Sequence, residues 1–110
     1  MTTRGQLETL IRTLNLKYPE LGSGFDITEH SSLDWIEELE ENDIVVGYDY
    51  CTDDIRCGVD DKKNNEFIDW VYEEAWPSIR DLMRKNGYRS VRDDDGSGNG
   101  LYYGIEVFRK

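Results

Sequence analysis

Ile44-Val45-Val46-Gly47-Tyr48-Asp49-Tyr50-Cys51 is the stretch on which the fold turns. It is rich in β-branched and aromatic residues, which suit the pleated, half-buried backbone of a strand. Thr52-Asp53-Asp54 follows as a turn, and Ile55-Arg56-Cys57-Gly58-Val59-Asp60 then alternates apolar and polar with period two. That pattern predicts a β-hairpin over 44–60.

Upstream, Ser31-Ser32-Leu33-Asp34 reads as a capped helix start, with Asp34 three residues after Ser31. The helix is expected to run to about Glu41, with Leu33, Ile36 and Leu39 buried and Trp35 beside them. Glu37, Glu38, Glu40 and Glu41 crowd its C-terminal half, where acids oppose the helix dipole. A locally unfavourable pattern suggests that these acids serve something other than the helix. Earlier still, residues 25–28 read as a candidate short strand after the Gly22-Ser23-Gly24 loop. Leu7, Leu10, Ile11 and Leu14 form one apolar stripe of a helix over 3–16, which Pro19 stops.

Downstream, a polar connection leads into the longest helix, expected over 65–86. Phe67, Ile68, Val71, Tyr72, Ala75, Trp76, Ile79, Leu82 and Met83 recur at helical spacing. Pro77 lies inside it and predicts a kink or break near Trp76. Asn86-Gly87 is the stop. Residues 88–92 and 101–108 predict a second hairpin around a polar, glycine-rich loop over 93–100. The expected fold is a single α+β domain over 1–110: an antiparallel sheet of two hairpins, plus the short strand, packed against about three helices.

A chain of 110 residues fits one domain. Its net charge of −11 and mean hydropathy of −0.73 are values often met in disordered chains. Three Trp, seven Tyr and three Phe at regular spacing argue for an ordered core under a charged surface. No apolar run approaches the roughly 18 residues needed to span a bilayer, and no signal-peptide core opens the chain. A cytoplasmic protein without membrane contact is the resulting expectation. Cys51 and Cys57 are expected as free thiols there, a disulfide across the first hairpin being the alternative.

The charge is unevenly placed. Residues 1–30 hold four acids and three bases, 31–74 hold 15 acids and three bases, and 75–110 hold five acids and seven bases. The central segment therefore carries the whole acidic excess. Crowded like charge destabilises a compact domain, and a basic partner would relieve it.

Other chemistries find less in the sequence. Asp95, Ser97, Asn99, Gly100 and Glu106 match a relaxed EF-hand loop, but no helix enters or leaves it, so no calcium or other metal site is expected. His30 is the only histidine and reads as a surface residue beside a helix. The two cysteines sit among acids, which raise thiol pKa values and blunt reactivity. No phosphate-binding glycine loop is present, and among so many carboxylates no acid–base dyad stands out. The expectation is a non-enzyme without cofactor. Direct nucleic-acid binding is disfavoured because the acids would repel phosphates more strongly than Arg80, Arg84, Lys85, Arg89 and Arg92 attract them.

Carboxylates on Asp34, Glu37, Glu38, Glu40, Glu41, Asp49, Asp53, Asp54, Asp60 and Asp61 could instead imitate a phosphate array, with Trp35, Tyr48, Tyr50 and Trp70 as aromatic anchors. In size and charge the chain resembles small phage-encoded inhibitors of host defence nucleases, such as anti-restriction and anti-CRISPR proteins. It is also similar in these respects to bacterial immunity proteins that block nuclease toxins. The first resemblance implies an acidic inhibitor that fills the nucleic-acid site of a basic protein in the host cytoplasm. The second implies an immunity-type or adaptor protein that binds its partner elsewhere.

Overall fold

Thr2 opens the first helix: its hydroxyl accepts the Gly5 N–H at 3.0 Å and satisfies an amide that has no partner within the helix. Helix α1 spans Thr3–Asn15 and buries Leu7 and Ile11, with Leu10 and Leu14 packed on the same core. The computed structural model describes residues 2–18, 24–51, 61–98 and 101–110, and all structural statements concern these.

Strands β1 (Gly24–Thr28), β2 (Ile44–Cys51), β3 (Arg89–Gly98) and β4 (Leu101–Arg109) form one antiparallel sheet in the order β1-β2-β4-β3. The strand at 44–51 is as the sequence predicts, but its neighbours are not local. Over 45–49 it is flanked by β1 on one side and β4 on the other, so both edges are occupied there. Its expected hairpin partner, 55–60, lies outside the described residues. The polar stretch expected as a loop over 93–100 is largely strand instead. Asp93 pairs with Glu106 and the ladder continues to Gly98 opposite Leu101. One bulge interrupts it between Ser90 and Arg92.

Helix α2 begins with Asp61–Trp70, passes through a π-helical turn at Val71–Ala75 and continues as Trp76–Lys85. Pro77 neither breaks it nor ends it. The N–H of Trp76 reaches back five residues to the Val71 carbonyl, and this wider turn accommodates the proline ring and its missing donor. Among the described residues there are thus two α-helices, not about three, and none is long and apolar enough to cross a membrane.

The missing helix is the one expected from Ser31 to Glu41. Only a 3-10 turn forms there, His30–Ser32, and the chain then proceeds through turns to Asp43. Side chains take over the backbone bonding that a helix would supply. Asp43 Oδ2 accepts the Glu40 N–H at 2.8 Å, Arg109 Nη2 donates to the Glu38 carbonyl at 2.8 Å, and His30 Nε2 lies 2.7 Å from the Asp43 carbonyl. The segment has its own small core, Leu33 and Ile36 on Val45 and Val107 of the sheet. Tertiary burial of three apolar residues prevails over a helix that would be short and would carry acids against its dipole at the C-terminal end.

The two helices cover the sheet face that carries Phe25, Val46, Tyr48, Tyr50 and Phe108. Rings dominate this core: Phe25 meets Trp76 edge-on at 5.2 Å between centroids, and Tyr50 lies 4.6 Å from Phe67. Glu106 is also buried on this face, where Arg80 of α2 donates to it through Nε at 2.9 and 3.1 Å and through Nη2 at 2.6 Å. At the sheet's outer edge, the Asn15 amide accepts the Phe25 N–H at 2.8 Å and donates to the Phe25 carbonyl at 2.9 Å. Gly24, at φ +75°, makes this approach possible, since a Cβ there would stand 2.3 Å from Asn15 Oδ1.

Candidate functional site

Side chains alternate across a strand, so the register also defines the second face of the sheet. Three rows cross it: Gly24–Asp49–Tyr103–Gly96, then Asp26–Gly47–Ile105–Asp94, then Thr28–Val45–Val107–Arg92. The 33–39 segment covers the third row with Leu33 and Ile36. The first two rows are left as a groove of about 550 Å³, with Gly47 and Ile105 in its floor and Asp26, Asp49, Asp94, Tyr103 and Trp35 around it. Gly47 keeps the floor low, since a Cβ there would lie 2.9 Å from Thr28 Oγ1 and 3.4 Å from Asp26 Oδ1.

Trp35 and Tyr103 are 54 % and 55 % exposed, which is high for large aromatic side chains. Arg92 stands at one margin of the groove. Its guanidinium lies 5.3 Å from the Trp35 ring centroid and bonds to Glu38 and Asp94. These two carboxylates raise the Arg92 pKa, and the Arg92 hydrogen bond in turn lowers that of Glu38.

The ten acids expected to face a partner have different fates. Asp34, Glu37, Glu41 and Asp49 are exposed and make no ion pair among the described residues. Glu38 pairs with Arg92, and Glu40 with Arg109 at 3.2 Å. The neighbouring Asp43 is buried and bound by Arg109 at 2.8 and 2.9 Å, a contact that holds its pKa below the usual carboxylate value. Asp61 begins α2, while Asp53, Asp54 and Asp60 lie outside the described residues, as does Cys57.

Three of the four expected aromatic anchors do not face solvent. Tyr48, Tyr50 and Trp70 are core residues beneath the helices, and burial pushes both tyrosine hydroxyls well above their usual pKa. Only Trp35 remains available. Sequence reasoning missed Asp26, Asp94 and Tyr103, whose common face follows from strand parity once the order β1-β2-β4-β3 is known.

The calcium-like spacing from Asp95 to Glu106 falls on two paired strands, with Glu106 held by Arg80 and Asp95 accepting from the Tyr72 hydroxyl at 3.2 Å. Among the described residues no group of three or more His, Cys, Asp or Glu side chains could hold a metal ion. Arg84 pairs with Asp81 at 2.9 Å, and Arg80 with Asp93 at 3.5 Å. Comparison of the chain with family models, with curated proteins and with solved structures finds no match.

Proposed function

We propose that the domain is a non-catalytic acidic binding module that occupies the nucleic-acid-binding surface of a basic partner protein, its exposed carboxylates standing in for phosphates. One observation carries this reading. Arginines neutralise Glu38, Glu40, Asp43, Asp94 and Glu106, yet Asp26, Asp34, Glu37, Glu41 and Asp49 remain exposed and without a paired cation among the described residues. Trp35 lies between Asp34 and Glu37 in sequence and borders the groove that Asp26 and Asp49 line. Unpaired charge beside an exposed aromatic ring is the composition of an interaction surface that gains on-rate from charge and affinity from the ring.

A second reading draws on the internal pairing of Glu38 and Glu40. Two of the four glutamates between 37 and 41 are committed to Arg92 and Arg109, which thins the phosphate-like array. An immunity-type or adaptor protein needs only enough charge to steer docking at a separate site. Competition separates the two. The partner is captured from the native host on the immobilised domain, and DNA or RNA is then titrated into the purified pair. Mimicry predicts mutual exclusion and binding that weakens steeply with salt, because exposed charges are screened within about 8 Å at physiological ionic strength. A stable ternary complex would reject mimicry in favour of the adaptor reading.

A further inference from the structure

The groove on the second sheet face is more specific than a general acidic surface. We infer that it receives an arginine side chain of the basic partner, with the guanidinium against Trp35 and Tyr103 and its donors directed to Asp26 and Asp49. This rests on the reading of the domain as a docking module for a basic protein.

Asp26 sits opposite Gly47, and Asp49 lies two residues further along β2. The two carboxylates are therefore diagonal neighbours on one face, a spacing of roughly 7–8 Å between Cα atoms within which long side chains interact. Neither has a cation among the described residues, and Asp26 accepts only the Thr28 hydroxyl, at 3.3 Å. Tyr103 is directly across from Asp49 on β4. A cation entering between them meets negative charge on two sides and a ring beside it.

Arginine fits this arrangement better than lysine. Its planar guanidinium stacks on rings and offers several donors in a fixed fork, whereas an ammonium is a compact, strongly hydrated charge. The protein already binds one guanidinium in this way at the groove's margin, where Arg92 lies over Trp35 between Glu38 and Asp94. The Asp26 and Asp49 side of the groove has the same chemistry, carboxylates beside an exposed ring, and no arginine pairs with either carboxylate among the described residues. A volume of about 550 Å³ is ample for one such side chain with its backbone outside.

The test uses the full chain and a capped pentapeptide with two arginines, alongside the same peptide with lysine or citrulline in place of arginine. Amide and indole resonances are followed by two-dimensional NMR at low salt. Saturable shifts at Gly47, Ile105 and the Trp35 indole are expected. Lysine should bind several-fold more weakly, and citrulline should not bind. Asp49→Asn and Trp35→Ala should each weaken arginine-peptide binding by about fivefold or more while leaving the remaining spectrum intact. Shifts that never saturate, shifts that fall on Glu66, Asp69 and Glu73 of α2, or equal affinity for lysine and arginine would overturn the inference. The peptide assay contains no nucleic acid, so it fails or succeeds independently of mimicry. Peptide binding alongside a ternary complex would remove mimicry and keep the groove. Mutual exclusion that Asp49→Asn and Trp35→Ala leave unchanged would do the reverse.

Discussion

Replacing Arg80 with Met tests the interaction that joins α2 to the far half of the sheet. Glu106 is 1 % exposed and receives three hydrogen-bond contacts from Arg80. Asp93 is its direct cross-strand neighbour, so Arg80 also stands between two like charges. Methionine keeps much of the aliphatic stem but strands the Glu106 carboxylate, and removing one partner of a buried ion pair costs about 3–5 kcal/mol. Arg80 is itself 38 % exposed, so water screens part of the pair and the lower end, about 3 kcal/mol, is the expected loss. For a domain of this size that corresponds to a fall in Tm of about 12–20 °C. Urea unfolding followed by tryptophan fluorescence should show a lower midpoint with an unchanged slope. The double variant Arg80→Met/Glu106→Gln should recover a large part of the loss, because no buried charge is left unpaired. A loss below about 1 kcal/mol in the single variant, or a double variant no more stable than the single one, would refute the assignment of Glu106 as a buried charge that depends on Arg80.

Asp43 provides a pH test. Its folded pKa is depressed by Arg109, so its contribution is present above the unfolded carboxylate pKa of about 3.9 and is lost as pH falls through the folded value. Stability measured by urea titration should drop on acidification from neutral to about pH 3, and Asp43→Asn should flatten that drop. Asp93 works in the opposite sense, its pKa raised chiefly by desolvation and then by Glu106, but it is more exposed and should partly mask the effect without reversing it. Charge reversal should divide the acids of the 34–41 segment. Glu37→Lys and Glu41→Lys should change stability by no more than about 0.5 kcal/mol. Glu38→Lys and Glu40→Lys should lower stability more than these do, by opposing Arg92 and Arg109, visible as a lower midpoint in the same unfolding assay.

The elements legible in the sequence are those whose information is local. The stripe Leu7, Leu10, Ile11, Leu14 specifies α1, and the β-branched and aromatic run at 44–51 specifies β2. The apolar series from Phe67 to Met83 specifies α2 despite Pro77. What stayed hidden is set by residues distant in the chain. The 31–41 segment has the spacing of a short helix, but its backbone is bonded by Asp43 and by Arg109, the latter some seventy positions away, and its leucines and isoleucine pack on Val45 and Val107. The 93–98 stretch has turn composition yet lies in a strand, because β4 supplies a complete ladder for it. Asn99-Gly100 just beyond it is the dipeptide favoured in two-residue hairpins and was the signal for a longer strand. For the same reason only part of the groove was readable. Asp49 and Trp35 belong to the acidic segment, whereas Asp26, Asp94 and Tyr103 come from three strands that meet only in the folded sheet.

The Asn15 side chain has a consequence for how this molecule can meet others. A primary amide can point an N–H and its carbonyl oxygen to the same side, so at Phe25 it takes both bonds that one residue of a neighbouring strand would take. Edge-on addition of a foreign strand to β1 would first have to expel it. The opposite border, β3, is protected by other means: a bulge near its start and the consecutive charges of Asp93, Asp94 and Asp95. Among the described residues both lateral borders of the sheet are thereby guarded against β-augmentation, which leaves the broad surfaces above and below it. One of these is sealed by two helices, and the other carries the groove.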